Sequence, residues 1–116
     1  MKNQKFAIRL QFALKGIRHA IRTEASFRTQ VIFAIGVIGF LGFARPEPVW
    51  WALILICIGG VLTAELFNTA LETIIDHLHP SEHPLIGVAK DCAAGAVLFT
   101  SLTSVLVFIA MCIATF

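Results

Sequence analysis

The sequence is poor in charged residues. Asp, Glu, Lys and Arg make up 14% of its 116 residues and 58% are hydrophobic, whereas a soluble domain devotes about a quarter of its residues to charge. No charged residue occurs in residues 29–44, 49–64 or 92–116. The last run is long enough to cross a bilayer core, which takes roughly 20 apolar residues, and the shorter runs need residues from their flanks. The composition excludes a separate soluble domain and predicts one membrane-embedded domain over residues 1–116.

The three cysteines lack the spacing of a metal site, and several catalytic motifs are missing. Cys57, Cys92 and Cys112 have no C-x-x-C spacing, so they indicate small apolar side chains rather than a metal site or a disulfide. There is no Walker A sequence and no glycine loop of the protein-kinase type, so a nucleotide must be bound by other means. Lipid-phosphatase and CDP-alcohol transferase signatures are missing as well. A cleavable signal peptide is not expected, because the basic region is too long and the apolar core begins too late.

The basic residues are concentrated near the N-terminus. Seven of the nine Lys and Arg residues lie within residues 2–28. By the positive-inside rule, this asymmetry predicts an N-terminus on the cytoplasmic side of the membrane. Nucleic-acid binding is not expected, because nothing else in the chain can form a soluble binding surface.

Residues 5–26 have the period of an amphipathic helix. Apolar side chains such as Phe6 and Leu10 fall on one face, and basic side chains such as Lys15 and Arg22 fall on the opposite face. This pattern is typical of a surface helix whose basic side meets anionic head groups. It is equally typical of a helix that packs on the protein's own bundle.

Three transmembrane helices are predicted after this segment, at residues 27–44, 49–78 and 90–116. The prolines of residues 45–48 (RPEP) separate the first two, since proline disfavours helix in the residue before it. The second helix ends before Pro80. Its length of roughly 45 Å exceeds the thickness of the hydrocarbon core, which is about 30 Å. Its excess must therefore emerge on the cytoplasmic side. The expected fold is an all-α membrane protein with a surface helix and three spans.

Glycine recurs every third residue in the first of these helices, at Gly36, Gly39 and Gly42. Small residues let helices approach closely in lipid, where hydrophobicity cannot drive their association. We therefore expect this face to pack tightly against another helix.

Four polar residues share one face of the second transmembrane helix. Glu65, Asn68, Glu72 and Asp76 are spaced three, four and four residues apart, so they fall within about 80° of arc and span about 16 Å. A charge at the bilayer centre costs at least about 2.5 kcal/mol, so such residues must face protein, a metal or water. If the helix end emerges into solvent, polar residues are expected at Asp76 and at Glu72. Solvent exposure does not explain polar residues at Glu65 and Asn68, which have apolar sequence on both sides. The stripe therefore indicates a functional site.

Three residues from other segments are expected at the same membrane boundary. Lys90 can bind phosphate as a point charge, whereas Asp91 is either a site residue or an ordinary acid in the first turn of a helix. Glu24 is either a local salt-bridge partner or a second carboxylate for a metal ion. Carboxylates, an amide and a lysine at a membrane surface suit Mg²⁺ and nucleotide phosphates. Glu65 suits the base that phosphoryl transfer to a lipid hydroxyl requires.

Two other functions compete with phosphoryl transfer. A small proton-coupled transporter would use Glu65 as its proton carrier, but it does not account for Lys90 among the acids at one membrane face. A purely structural membrane subunit gives little reason for Glu65 and Asn68 to be buried. Transfer of a phosphate to a lipid hydroxyl accounts for all of these features.

Two motifs and one shorter segment carry a family resemblance. They are residues 65–72 (ELFNTALE) with Asp76 beyond them, residues 89–97 (AKDCAAGAV) and residues 24–28 (EASFR). With these residues the sequence resembles the bacterial integral-membrane diacylglycerol kinase family, which includes the undecaprenol kinases, over essentially the whole chain. The resemblance implies an ATP-dependent lipid kinase of the bacterial cytoplasmic (inner) membrane. It also implies a homotrimer of three-span subunits, with the active sites between neighbouring subunits and on the cytoplasmic side.

The resemblance also implies a role for each site residue. Glu65 would be the catalytic base that activates the lipid hydroxyl, and Glu24 and Glu72 would hold the Mg²⁺ ion. ATP would be the phosphoryl donor. The nucleotide-binding residues would be Asn68, Asp76, Lys90 and Asp91, with His83 near the adenine or ribose.

The lipid acceptor is inferred from residues 24–28. This segment looks more like the diacylglycerol branch, while the undecaprenol branch tends to have a histidine near the position of Gln30. The expected reaction is transfer of the γ-phosphate of ATP to the hydroxyl of diacylglycerol, which gives phosphatidic acid. The alternative acceptor is undecaprenol.

Overall fold

The computed structural model describes residues 3–116, which form four α-helices. Three of the helices are long and apolar enough to cross a membrane, so the prediction of an all-α fold with three potential spans is confirmed. The helices are α1 (Phe6–Thr23), α2 (Ala25–Ala44), α3 (Pro48–Leu78) and α4 (Pro84–Thr115), of which α2, α3 and α4 are the potential spans.

A single residue, Glu24, separates α1 from α2. Its backbone is extended (φ −111°, ψ 107°), so α1 ends earlier than the helix predicted over residues 5–26. Neither proline nor glycine marks this break. Arg28 stabilises it, because its Nη1 donates hydrogen bonds to the carbonyl oxygens of Ile21 and Arg22 at 2.9 and 3.1 Å. Those carbonyls belong to the last turn of α1, where no helical partner remains for them.

The connection between α2 and α3 is a tight turn. Arg45 adopts the left-handed conformation (φ 53°, ψ 54°), and its N–H donates to the carbonyl of Leu41 at 2.9 Å. Pro48 opens α3 at a position where its missing N–H costs no helical hydrogen bond. Such a short connection makes α2 and α3 antiparallel neighbours.

α3 and α4 form the most extensive helix pair of the fold. α4 begins at Pro84, six residues before the start predicted at residue 90. His83 accounts for the early start, because its Nδ1 accepts a hydrogen bond from the N–H of Leu85 at 3.1 Å and so caps the helix. Proline is also favoured at the first position of a helix.

The apolar core lies near the α2–α3 turn. Leu41, Ile54 and Met111 form its centre and are 0%, 3% and 0% exposed. Partly buried side chains surround them, including Trp50 and Trp51. We call this part of the bundle the turn end.

The opposite part of the bundle contains Glu24, the end of α3 with Asp76, and the start of α4 with Lys90. We call it the acidic end. It follows from the antiparallel course of α2, α3 and α4 that these three segments come to the same end. None of the core residues Leu41, Ile54 and Met111 lies there.

Most of the apolar surface of the three spanning helices is exposed. At most 17% of the residues in each apolar window are buried inside the chain. Gly36, Gly39 and Gly42 belong to this surface, because within residues 3–116 no atom of another helix lies within 4 Å of the place a side chain would take. The tight packing expected at these glycines is therefore not found within one chain. This surface is free to contact lipid or further copies of the protein.

Candidate active site

The polar stripe lies in the second half of α3, which is one uninterrupted helix. Burial decreases along the stripe. Glu65 is 2% exposed, Asn68 and Glu72 are half-buried, and Asp76 is exposed. The stripe therefore runs from the interior of the bundle to the acidic end.

Glu65 is held by a hydroxyl group from α2. Ser26 Oγ donates a hydrogen bond to Glu65 Oε1 at 2.6 Å, across 39 residues of sequence. A short hydrogen bond of this kind is typical of a hydroxyl donor and a carboxylate acceptor. It partly compensates for the loss of water around the carboxylate, which a buried acid requires. Oε2 is then the oxygen of Glu65 that is available to another donor.

Ser26 is not among the site residues predicted from the sequence. The helix predicted over residues 5–26 puts it at the end of a surface segment, where its hydroxyl has no assigned partner. The break at Glu24 instead places Ser26 in the first turn of α2, beside α3. The sequence did contain a signal, since a buried carboxylate needs a donor and a hydroxyl residue stands at the start of the preceding span.

Asn68 and Glu72 are one helical turn apart and contact each other. Asn68 Nδ2 donates to Glu72 Oε1 at 3.5 Å, a distance at the outer limit of a hydrogen bond. Among the described residues, Asn68 Oδ1 is buried and has no hydrogen-bond partner. An unpartnered buried oxygen is costly, so this arrangement is suited to a ligand that supplies a donor or a cation.

The two acids predicted to hold Mg²⁺ do not form a closed site by themselves. Glu24 is half-buried at the α1–α2 junction, and Glu72 is half-buried on α3. In residues 3–116, no group of three or more His, Cys, Asp or Glu side chains could hold a metal ion. The donor chemistry nevertheless fits Mg²⁺, which takes one or two carboxylates and completes its shell with substrate phosphates and water. Glu72 and the unpartnered oxygen of Asn68 are oxygen ligands of the required kind.

Asp76 and Lys90 join α3 to α4 at the acidic end. Lys90 Nζ lies 2.7 Å from Asp76 Oδ1, and the two side chains are 39% and 64% exposed. An ion pair this exposed contributes little stability, about 0 to 1 kcal/mol. Its chemical consequence is greater, because the ammonium group is fixed near the stripe and still accessible to a phosphate.

The loop between α3 and α4 surrounds a cavity of about 620 Å³, a volume typical of small-molecule sites. Lys90 lies on its wall together with His79 and His83, whose rings meet edge to face at an angle of 78°, with centroids 5.9 Å apart. Two predicted nucleotide-binding residues, His83 and Lys90, are thus brought to one cavity. Asp91 is exposed and is not among the residues that line it.

Comparison with known proteins identifies the family. The sequence profile described as prokaryotic diacylglycerol kinase matches residues 11–112. The chain belongs to the prokaryotic diacylglycerol kinase family. The match includes all the predicted site residues, from Glu24 to Asp91, and confirms the resemblance inferred from their motifs.

Relatives with two different names match most of the chain. It is 34% identical over 101 residues to the diacylglycerol kinase of Synechocystis sp. The matched region covers 86% of this chain and 58% of that protein. It is 37% identical over 95 residues to the undecaprenol kinase of Bacillus subtilis, with 80% and 76% covered. The diacylglycerol kinase of Escherichia coli K12 is 26% identical over 95 residues, with 82% and 78% covered.

The family and the helices together establish the general class of this protein. The named relatives are lipid kinases, which are phosphotransferases. The three apolar helices agree with a bacterial membrane location. The match spans 58% of the Synechocystis protein, which is less than two thirds of its length.

Proposed function

We propose that this protein transfers the γ-phosphate of ATP to the hydroxyl group of diacylglycerol and so forms phosphatidic acid. The observation that carries the proposal is the 2.6 Å contact between the Ser26 hydroxyl and the buried Glu65 carboxylate. In this contact the carboxylate accepts a hydrogen bond from a hydroxyl group within the apolar part of α3. The hydroxyl group of a lipid substrate must meet the base in the same way. Membership of a lipid kinase family supports the same chemistry.

Glu65 is the base in this reaction. Its free oxygen takes the proton of the lipid hydroxyl, and the hydroxyl oxygen forms a bond to the γ-phosphorus of ATP. The bond between that phosphorus and the β–γ bridging oxygen breaks, and ADP leaves. Phosphoryl transfer depends mainly on positioning and on neutralising charge, so Ser26 contributes by holding the other oxygen of Glu65 in place.

The nucleotide binds at the acidic end. Lys90 contacts a phosphate while Asp76 orients its ammonium group, and His83 lies near the adenine or ribose in the loop cavity. Glu24 and Glu72 hold Mg²⁺, which when bound offsets the negative charge of the phosphates. The full set of nucleotide-binding residues is Asn68, Asp76, His83, Lys90 and Asp91.

α1 lies in the membrane interface as an amphipathic surface helix. Ala20 is its one buried residue, while Phe6, Leu10 and Ile21 are 76%, 47% and 41% exposed. Exposed apolar side chains opposite a basic face support contact with acyl chains and anionic head groups. Packing on the chain's own bundle does not account for them.

The acidic end faces the cytoplasm of a bacterial cell, at the inner membrane. Seven of the nine Lys and Arg residues precede α2 or lie in its first turn, and the positive-inside rule favours a cytoplasmic location for such a segment. This orientation presents Lys90 and the loop cavity to the compartment that contains ATP. The single domain of residues 1–116 is thus a multi-pass membrane kinase.

The functional unit is a homotrimer with active sites between neighbouring subunits. The exposed apolar faces of the spanning helices support further association, as do Gly36, Gly39 and Gly42, beside which residues 3–116 leave open space. Small residues at a helix surface favour close helix–helix contact in lipid.

The direct test is a mixed-micelle assay of the purified protein with labelled MgATP. Diacylglycerol and undecaprenol are offered separately, and the labelled lipid is identified. We expect labelled phosphatidic acid, and we expect a chelator of Mg²⁺ to stop its formation. If neither lipid is labelled, the proposed function is wrong and a proton-coupled transporter becomes the better interpretation of Glu65.

Undecaprenol is the second candidate acceptor. The observation that favours it is the 37% identity to the undecaprenol kinase of Bacillus subtilis. Its terminal hydroxyl would meet Glu65 in the same way as that of diacylglycerol. If only undecaprenol is labelled, the acceptor is corrected while the fold, the base and the nucleotide site stand.

A further inference from the structure

An apolar cavity of about 490 Å³ lies between α2, α3 and α4. Its walls are mostly aliphatic and aromatic, with Gln30, Ser101 and Ser104 as polar members. Phe33 and Val105, which also line it, are 66% and 54% exposed, so the cavity opens at the side of the bundle. A space of this kind, open toward the lipid side of spanning helices, suits part of a lipid molecule.

The cavity begins next to the proposed base. On α2, Gln30 follows Ser26 by four residues, and on α3, Val61 precedes Glu65 by four residues. Because α2 and α3 are antiparallel, both steps lead away from the acidic end, by about 6 Å in each helix. A lipid whose hydroxyl reaches Glu65 must therefore pass Gln30 before its chain enters the cavity.

Gln30 and Ser101 form a polar contact at this level. Gln30 Nε2 donates a hydrogen bond to Ser101 Oγ at 3.2 Å and so joins α2 to α4. This bond uses one of the two amide hydrogens of Gln30 and leaves the hydroxyl proton of Ser101 available. Ser104 differs, since its hydroxyl already donates to the carbonyl oxygen of Thr100 in its own helix at 2.8 Å. Gln30 and Ser101 are thus the polar wall residues with a donor left for a ligand.

We propose that Gln30 and Ser101 bind an ester carbonyl of the lipid acceptor and thereby select a glycerolipid with ester-linked chains. The inference rests on the proposed function and adds the group that distinguishes one acceptor from another. In diacylglycerol the ester groups lie only a few bonds from the hydroxyl, so a carbonyl oxygen comes to the level of Gln30 when the hydroxyl meets Glu65. A carbonyl accepts hydrogen bonds from an amide or a hydroxyl, and such bonds are stronger in a poorly solvated site.

An acceptor without a carbonyl group leaves the donors of Gln30 and Ser101 without a ligand partner. A site built to hydrogen-bond a substrate group discriminates against the analogue that lacks it. The hydrocarbon chain of a prenyl alcohol and the ether oxygens of a dialkylglycerol both lack the carbonyl. The dialkylglycerol is the sharper probe, because it keeps the glycerol hydroxyl and both chains.

The test compares 1,2-diacylglycerol with 1,2-dialkylglycerol of the same chain length, each as acceptor with MgATP. For the wild-type protein we expect kcat/KM to favour the ester by about 3- to 10-fold, the effect of one net hydrogen bond. Gln30→Leu and Ser101→Ala should each lower this ratio toward one by reducing the rate with the ester alone. Ser104→Ala should keep the wild-type ratio, because its hydroxyl is bonded within α4.

Three results would overturn the inference. In the first, the wild-type protein phosphorylates ester and ether acceptors equally well, a comparison that needs no variant. In the second, Gln30→Leu and Ser101→Ala lower both rates by the same factor, as a purely structural contact between α2 and α4 would require. In these two cases the proposed kinase activity stands. If the wild-type protein phosphorylates neither acceptor, the proposed function itself fails.

Discussion

The two ends of the bundle differ in the polar groups that they bury. At the turn end, Leu41 and Met111 are fully buried, and aromatic and aliphatic side chains surround them. Toward the acidic end, the carboxylate of Glu65 is buried together with apolar side chains such as Phe27, and Asn68 has a buried oxygen without a partner among the described residues. Apolar burial and close contact stabilise a fold, whereas buried polar groups without full pairing reduce its stability.

This difference separates two roles within one short chain. The turn end holds α2, α3 and α4 together through the tight connection at Arg45 and the core beneath it. We propose that the acidic end keeps polar groups for ligands, at some cost in stability. Active sites commonly retain such local costs, because function requires groups that packing alone would not select. Substitutions at the two ends should therefore affect different measurements.

The largest expected effect is that of Glu65→Gln on activity. Removing a general base lowers kcat by about 10²- to 10⁴-fold, while the amide keeps the size of the side chain and an acceptor oxygen for Ser26. Initial rates of lipid phosphorylation in mixed micelles measure the loss. Glu47→Gln is the matched control, since Glu47 is an exposed acid at the turn end and its variant should remain near wild type. Near-normal activity of the Glu65 variant would exclude it as the base.

The next effect concerns stability and belongs to the turn end. Leu41→Ala should lower the free energy of unfolding by about 2 to 5 kcal/mol, because it leaves a cavity at a fully buried position. Thermal denaturation in detergent measures the change, and the rate per folded molecule should stay close to wild type. Phe43→Ala provides the comparison, since Phe43 is 80% exposed. If Leu41→Ala abolished the activity of well-folded protein, the separation of roles would be contradicted.

A smaller effect is expected for Glu72→Gln at the acidic end. Weakening a ligand should reduce affinity for Mg²⁺ by at least about tenfold, so activity should recover as the Mg²⁺ concentration is raised. The measurement is the rate as a function of free Mg²⁺ at saturating ATP, with Glu47→Gln again as the control. An unchanged Mg²⁺ dependence would remove Glu72 from the proposed metal site.

The smallest of these effects is that of Ser26→Ala. Loss of the hydrogen bond to Glu65 should lower kcat by about tenfold, while the KM for ATP remains unchanged, because Ser26 orients the base and does not contact the nucleotide. Ser26→Thr keeps the hydroxyl group and should retain most of the activity. Equal losses in the Ala and Thr variants would indicate a packing role for Ser26 instead.

The sequence predicted the features that depend on local pattern. Apolar runs and the prolines of residues 45–48 located the three potential spans. Helical spacing placed Glu65, Asn68 and Glu72 on one helix, and it predicted that the deepest of them is buried. These predictions succeeded because periodicity and charge are properties of neighbouring residues.

The sequence did not predict the features that depend on individual side-chain hydrogen bonds. The helix break at Glu24 carries no proline or glycine and is stabilised by the side chain of Arg28. Ser26 meets Glu65 across 39 residues of sequence, and no local pattern specifies that pairing. α4 starts at Pro84 because the side chain of His83 caps the helix. The spacing of apolar residues gives no information about such a cap.

In the proposed function, the site at the acidic end transfers phosphate from ATP to a lipid hydroxyl. This transfer is tested most directly by following both products of the wild-type protein at once, labelled lipid phosphate and ADP, with diacylglycerol in mixed micelles. The two products should form in equal amounts and only when Mg²⁺ and the lipid are both present. Formation of ADP without lipid phosphate, or of neither product, would contradict the proposed function.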